Sequence, residues 1–501
     1  MNTSPPNEPT SLTPLERLLR VFTDIRPGEG VTGLLLFVNV FLVLCAYYFV
    51  KPLRDGWIAV SSVAGFSTME LKAYSSFGQS LLLLGIVSVY ARLSVRWPRN
   101  VLITRCTLFC MSNLVIFWLL YPGFMIANLP GAGIAFYLWV GMFGVFIVAQ
   151  FWTFAADLYA GERGSRLLPL VAIGATAGAA FGSLLTQLLV SAGFTGGTLL
   201  LLATVPLGIS IVLTRIADAR GPLGTPRAER VRPTAPAAAA AKATSTAPQA
   251  HSGQSPALPR TWAQRPAAAA AQAHRGALRF VLQNRYLLAV AAVAMLTNWV
   301  NTDGENLLFR VVQENLNAQV TAQGTTDPAA IRDFVQSGTT LFYGSFLFWV
   351  NACALVSQGL LASRLLKYGG FGAVFLMLPA IALISYSTMA FIPLLAVVRV
   401  MKVAENATDY SINNTARQVV WLPTTAEMKY RAKPAVDSLF VRMGDGLAAL
   451  TVLVGVHFLD LSTRSLFIVN IAIVIAWLAV SVFVVREHKR LAAASAGSQP
   501  A

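Results

Sequence analysis

The sequence predicts an all-α membrane protein of about twelve transmembrane helices in two six-helix halves. Of its 501 residues, 55% are hydrophobic and only 12% are charged, against roughly a quarter charged in a typical soluble domain. Most of the surface must therefore face lipid. Apolar runs approaching the ~20 residues that a membrane-crossing helix requires recur about twelve times. Basic residues gather between these runs, and they do so at matching places in the two halves of the chain.

The runs lie near 32–50, 74–93, 101–121, 133–156, 167–191 and 195–215, then near 286–302, 340–361, 371–392, 393–414, 436–458 and 465–485. They divide the chain into an N-terminal segment (1–31), a first half (32–216), a linker (217–277), a second half (278–486) and a tail (487–501). With both termini and the linker on the cytoplasmic side, the inner segments hold roughly 29 Lys and Arg against about six outside, the bias expected of cytoplasmic loops. Arg92, Arg96 and Arg99 follow the second run, as Arg364 and Lys367 follow the eighth. Arg163 and Arg166 follow the fourth, as Lys429, Arg431 and Lys433 follow the tenth. Two related six-helix halves joined by a cytoplasmic linker are the plan of the major facilitator architecture, a fold of secondary transporters, so a major-facilitator-like, multi-pass bacterial inner-membrane protein is expected.

The linker is rich in Ala and Pro, basic, and almost free of large apolar residues, so disorder is expected there. Its arginines are dispersed rather than clustered, which favours a passive tether over a lipid-binding patch. The N-terminal 26 residues are polar and lack the pattern of a cleaved signal peptide, so the first run is expected to be retained.

The net charge of +16 does not indicate nucleic-acid binding, because the basic residues sit between membrane spans. Cys45, Cys106, Cys110 and Cys353 all lie in apolar stretches, without a CxxC pair or a nearby histidine, and read as small packing residues. There is no GxxxxGK[ST] phosphate loop and no nucleophile–base–acid arrangement. The expectation is a non-enzyme, without metal or cofactor.

Ionisable residues inside spans are costly, at least ~2.5 kcal/mol each on insertion scales, and each is a functional candidate. In the tenth run, Arg399, Lys402, Asn406, Asp409 and Asn413 recur at alternating three- and four-residue steps, which places them on one helical face. Glu405 lies beside that face, within reach of Lys402 or Arg399. The stripe reads either as the lining of a central cavity or as an internal ion-pair network. After the first run come Tyr47, Tyr48, Lys51, Arg54 and Asp55. If the helix continues past Pro52 to Trp57, Lys51 and Arg54 form a cationic patch at a cavity mouth; if it stops near Val50, they are interfacial anchors. The seventh run ends in Asn298, Asn301, Asp303, Glu305 and Asn306, either ligand-bonding groups or a helix end dissolving into a loop over 311–337. Gly174, Gly178 and Gly182 form a doubled GxxxG ridge for close helix packing.

Several segments resemble one family. Gln150-Phe-Trp-Thr-Phe-Ala-Ala-Asp157, followed by Gly164-Ser-Arg-Leu-Leu-Pro-Leu170, is similar to the fourth-to-fifth-span signature of the ATP/ADP translocases, non-mitochondrial nucleotide transporters. The resemblance extends through Asp409-Tyr-Ser411, Trp421-Leu-Pro423, Glu427-Met-Lys-Tyr-Arg-Ala-Lys-Pro-Ala-Val-Asp437 and Arg442-Met-Gly444, with a weaker match over Tyr48–Asp55. It implies exchange of a nucleotide such as ATP for ADP, by alternating access and without hydrolysis. Lys51, Arg54, Arg399, Lys402 and Arg442 are then the groups for phosphates, and Tyr47, Tyr48, Phe151 or Trp152 the platforms for a base. Trp152, Asp157, Asn301, Glu305, Glu405, Asp409 and Asn413 complete the expected substrate-binding set. Asp409 and Asp445 stand where the family's nucleotide exchangers carry Lys. A less charged nucleotide, another organic anion, or proton coupling through Asp409 and Glu405 therefore also fits, as does a membrane scaffold or sensor without transport.

Overall fold

The computed structural model describes residues 13–20, 23–97, 99–121, 131–159, 162–220 and 278–497. Among them the chain is almost wholly helical, and its one β feature is an isolated bridge between Val63 and Phe66. Six long helices form the first half: α1 (Gly30–Ala59), α2 (Thr68–Arg96), α3 (Arg99–Leu120), α4 (Ala132–Leu158), α5 (Glu162–Ser191) and α6 (Gly196–Arg220). Six form the second: α7 (Arg285–Gln323), α8 (Pro328–Leu360), α9 (Ala362–Phe391), α10 (395–419), α11 (426–458) and α12 (Thr463–Gly497). A π-turn at Asp409–Asn413 interrupts α10, and π-turns at Val436–Phe440 and Leu453–Phe458 interrupt α11.

Nine helical segments among the described residues are long and apolar enough to cross a membrane. The ones that fall short are α2, α7 and α10, and these carry Lys72, Asp303, Glu305, Lys402, Glu405 and Asp409. Of these side chains Lys72, Asp303, Lys402 and Glu405 are buried, which is what sets these three helices apart in composition.

Several boundaries differ from the expectation. The first span ends beyond residue 50 and follows the longer of its two readings: α1 continues past Pro52 and runs to Ala59. Trp57 is fully buried, its ring 4.0 Å from that of Phe136. The predicted loop at 311–337 is helical over most of its length: α7 is a single helix of 39 residues, and α8 starts at Pro328 behind the N-cap Asp327. At 1.5 Å per residue α7 spans about 58 Å, well beyond a hydrocarbon core. Val312, Leu316 and Val320 are buried along its extension, a helical repeat that a search for apolar runs passes over. The helix α6 continues through Arg220, four residues into the segment assigned to the linker. The linker expectation for 221–277 lies outside the described residues.

The glycine ridge of α5 packs as expected. Gly174, Gly178 and Gly182 face the backbone of α1 at Phe37, Phe41 and Cys45, where a β-carbon would collide with main-chain atoms. Replacing Gly178 with Leu is expected to cost about 1–3 kcal/mol by overpacking, read as a lowered Tm of the purified protein. A Tm equal to the parent's would show that α1 and α5 do not meet this way.

The start of α1 is anchored by charge. Glu29 takes Arg163 at 3.1 Å and Arg166 at 3.1 Å, and Arg166 also donates to the Asp24 carbonyl at 2.6 Å. A short helix, Pro14–Leu19, brings Glu16 to the same place. Hydrogen bonds from the Thr13 backbone, then from its hydroxyl and from the Gly28 and Gly30 N–H groups, hold the Glu16 carboxyl below its ordinary range against the opposing effect of burial.

Candidate functional site

The two halves meet along α1 with α8, α2 with α7, α2 with α11, and α5 with α8. At the end of the bundle where α1 finishes and α2 begins, this seam is closed. His457 pairs with Glu70 at 3.0 Å, and Gln336 donates to the Tyr121 hydroxyl at 3.2 Å. Gly56 lies against the Gln336 carbonyl, which a β-carbon there would approach to 2.7 Å.

Deeper along the seam, the start of α2 supplies a buried cation. Ser67 and Glu70 form a capping box, which fixes the helix start at Thr68 and carries Lys72 one turn inside. Lys72 pairs with Asp55 of α1 at 3.2 Å and crosses to the other half, donating to the Tyr343 hydroxyl at 3.1 Å and the Glu305 backbone carbonyl at 3.4 Å. Arg54 shares Asp55 at 3.3 Å, and its guanidinium lies 4.3 Å from the centre of the Tyr137 ring. The Glu305 carboxylate also acts on Lys72 and accepts from Asn406 at 2.6 Å. Lys51 differs from these two cations. It lies 5.1 Å from the Tyr48 ring, with the phenols of Tyr47 and, from the other half, Tyr410 around it, and no carboxylate pairs with it among the described residues.

The α10 stripe resolves into separate roles. Lys402 is fully buried, pairs with Glu405 at 3.0 Å and lies beside Tyr386, which hydrogen-bonds Glu405 at 3.3 Å and the Val300 carbonyl at 3.1 Å. This group belongs to the interior of the second half. Asp409 accepts from Asn413 at 2.6 Å across the π-turn and pairs with Arg417 at 3.3 Å. Thr297, Asn301, Glu405 and Asp409 line one small pocket with Leu378 and Trp477. Arg399 donates to Ser345 at 2.5 Å beside the Phe342 ring, again with no carboxylate partner among the described residues. Within the stripe, Lys402 and Glu405 form an ion pair, whereas Arg399 is in none among the described residues.

Asp445 is a hub that the sequence singled out only as a difference from the family. Its Oδ1 accepts from Asn298 at 2.6 Å and Thr302 at 3.0 Å; its Oδ2 accepts from Ser80 at 2.5 Å and Arg442 at 3.2 Å. Three helices, α2, α7 and α11, are tied through this one carboxylate. Arg442 is thereby neutralised, although it also reaches Ser80 of the first half at 3.2 Å.

Trp152 and Asp157 are not brought to Lys51 and Arg54. Arg54 contacts α4 at Tyr137, and at 1.5 Å per residue Trp152 and Asp157 lie about 22 and 30 Å further along that helix. Trp152 packs edge-on against Phe151, with ring centres 5.7 Å apart, and Asp157 is near Tyr90. Sequence reading missed Lys72, Tyr343 and Tyr386. The capping box was the available signal for Lys72; the tyrosines lie in apolar runs and carry none.

Residues 349–488 match the family described as TLC ATP/ADP transporter, which supports membership in the ATP/ADP translocase family. Among solved structures, the fold is similar to the nucleoside transporter NupG, with a TM-score of 0.55 and 12% identity over 90% of this chain and 98% of that one. An auto-inhibited POT family peptide transporter aligns with a TM-score of 0.56 and 12% identity over 91% and 97% of the two chains. The human organic anion transporter MFSD10 aligns with a TM-score of 0.50 and 12% identity over 91% and 100%. At this identity the likeness is one of fold. A comparison with curated protein sequences found no match.

Proposed function

On the premise of membership in the ATP/ADP translocase family, we propose that this multi-span membrane transporter exchanges nucleotides by alternating access, without hydrolysing them. One observation carries the reading. Lys51 is a half-buried cation outside every ion pair among the described residues, set among tyrosines contributed by both halves. An ionisable group left unpaired at membrane depth is a site directed at a ligand, and the phosphate of a nucleotide is a suitable partner for an ammonium. The surrounding phenols offer faces on which a base can stack. Because Tyr410 lies on α10 and Lys51 on α1, a bound anion engages both halves, as a rocking mechanism requires. The end bearing the start of α1 is cytoplasmic in this reading, by the distribution of Lys and Arg.

Purified protein screened against adenosine mono-, di- and triphosphate should gain thermal stability from at least one of them by mass action, with no inorganic phosphate released. A protein stabilised by none of the three, or one that releases phosphate, contradicts the proposal.

A further inference from the structure

We propose that the nucleotide recognised between the halves is a dianion, a nucleoside monophosphate rather than a di- or triphosphate; this rests on the nucleotide reading above. The inference comes from which charges along the seam are already compensated. Arg54 and Lys72 face Asp55 and Glu305. Lys402 has Glu405, Arg417 has Asp409, and Arg442 has Asp445. Among the described residues Lys51 and Arg399 remain outside any ion pair, each resting on aromatic rings and neutral groups; the carboxylate that acts on Lys51 is Asp55, which Arg54 and Lys72 already hold. Asp303 adds no cation partner to this set: it is buried on α7 beside Trp299 and Thr451, outside any ion pair among the described residues, with neither oxygen hydrogen-bonded by geometry.

Two surplus positive charges in surroundings of low polarity select a ligand with two negative ones, because every further charge enters without a counter-ion and loses its hydration. A phosphomonoester carries about −1.5 to −2 at neutral pH. ADP and ATP each add charge that the seam can meet only by breaking an existing pair. Asp445 thereby becomes a specificity-determining residue, since its carboxylate removes Arg442 from the set of available cations.

The test is calorimetric titration of purified protein with AMP, ADP and ATP in magnesium-free buffer, since bound magnesium lowers the charge of a triphosphate. AMP is expected to bind at least about tenfold more tightly than ATP, the size of one uncompensated charge at about 10 Å in partly polarisable surroundings. Asp445→Asn keeps the side chain's shape, releases Arg442, and should move the ADP-to-AMP affinity ratio about tenfold towards ADP. Should that variant fail to fold, Asp409→Asn, which releases Arg417, makes the same test. ATP binding as tightly as AMP, or a ratio unmoved in the folded variant, overturns the inference while the nucleotide reading stands. Binding of none of the three overturns both, and binding of inorganic phosphate or ribose 5-phosphate alone overturns the nucleotide reading while leaving the preference for a dianion.

Discussion

Lys402→Ala should lower the folding stability of the protein by about 3–5 kcal/mol, the loss expected when one member of a buried ion pair is removed and the other is left without its counter-charge. Lys402 is completely buried and Glu405 nearly so, 3.0 Å apart. Gly304 leaves the room that the Lys402 amine and the Tyr386 hydroxyl occupy, and a β-carbon there would meet both. With the amine gone, the Glu405 carboxylate keeps the Tyr386 hydroxyl at 3.3 Å and loses its cation. Thermal unfolding in detergent should show a Tm lower by about 5–10 °C. Removing both charges, as Lys402→Met with Glu405→Gln, should recover most of the loss, because two neutral groups of similar volume need no mutual compensation. A single variant as stable as the parent would mean that the pair is solvated, and that Lys402 belongs to an open cavity instead.

Lys51→Ala should have the opposite profile: unchanged stability without ligand, and nucleotide affinity reduced about 10- to 100-fold, the range of a hydrogen bond to a charged group. No carboxylate is orphaned by the change, because none pairs with Lys51 among the described residues. Lys51→Arg keeps the charge but replaces a compact ammonium by a broad planar fork, so partial retention of binding is expected. Titration of the three proteins with the best-binding nucleotide decides the matter. Equal affinity in the parent and Lys51→Ala would remove Lys51 from the site, and a large fall in Tm would reassign it to the structural network.

These two lysines show how far the sequence could be read. Both were recognisable as membrane-embedded cations, and a helical wheel places Lys402 on the α10 stripe. What a wheel cannot supply is the partner. Glu405 sits three residues from Lys402 and was a visible candidate, whereas the tyrosine surroundings of Lys51 depend on Tyr410, which is remote in sequence and set by the π-turn at Asp409–Asn413. The fold was legible because apolar length and glycine spacing are local properties. The seam was not, because Asp55–Lys72, Lys72–Tyr343 and Ser80–Asp445 are contacts between separate helices. Apolar-run counting also set the start of the second span at residue 74, which excluded Lys72; the capping box at Ser67 and Glu70 marks the true start. Asp445 was noticed for differing from the family, and its role became apparent only with four donors around it.

Nucleotide exchange itself is tested most directly by flux through purified protein reconstituted in liposomes. Vesicles loaded with unlabelled AMP, ADP or ATP, and vesicles left empty, are offered the same labelled nucleotide outside, without a proton gradient. The account predicts uptake into loaded vesicles and little into empty ones. Uptake that ignores the internal nucleotide and appears only when a proton gradient is imposed would contradict exchange and identify a proton-coupled carrier.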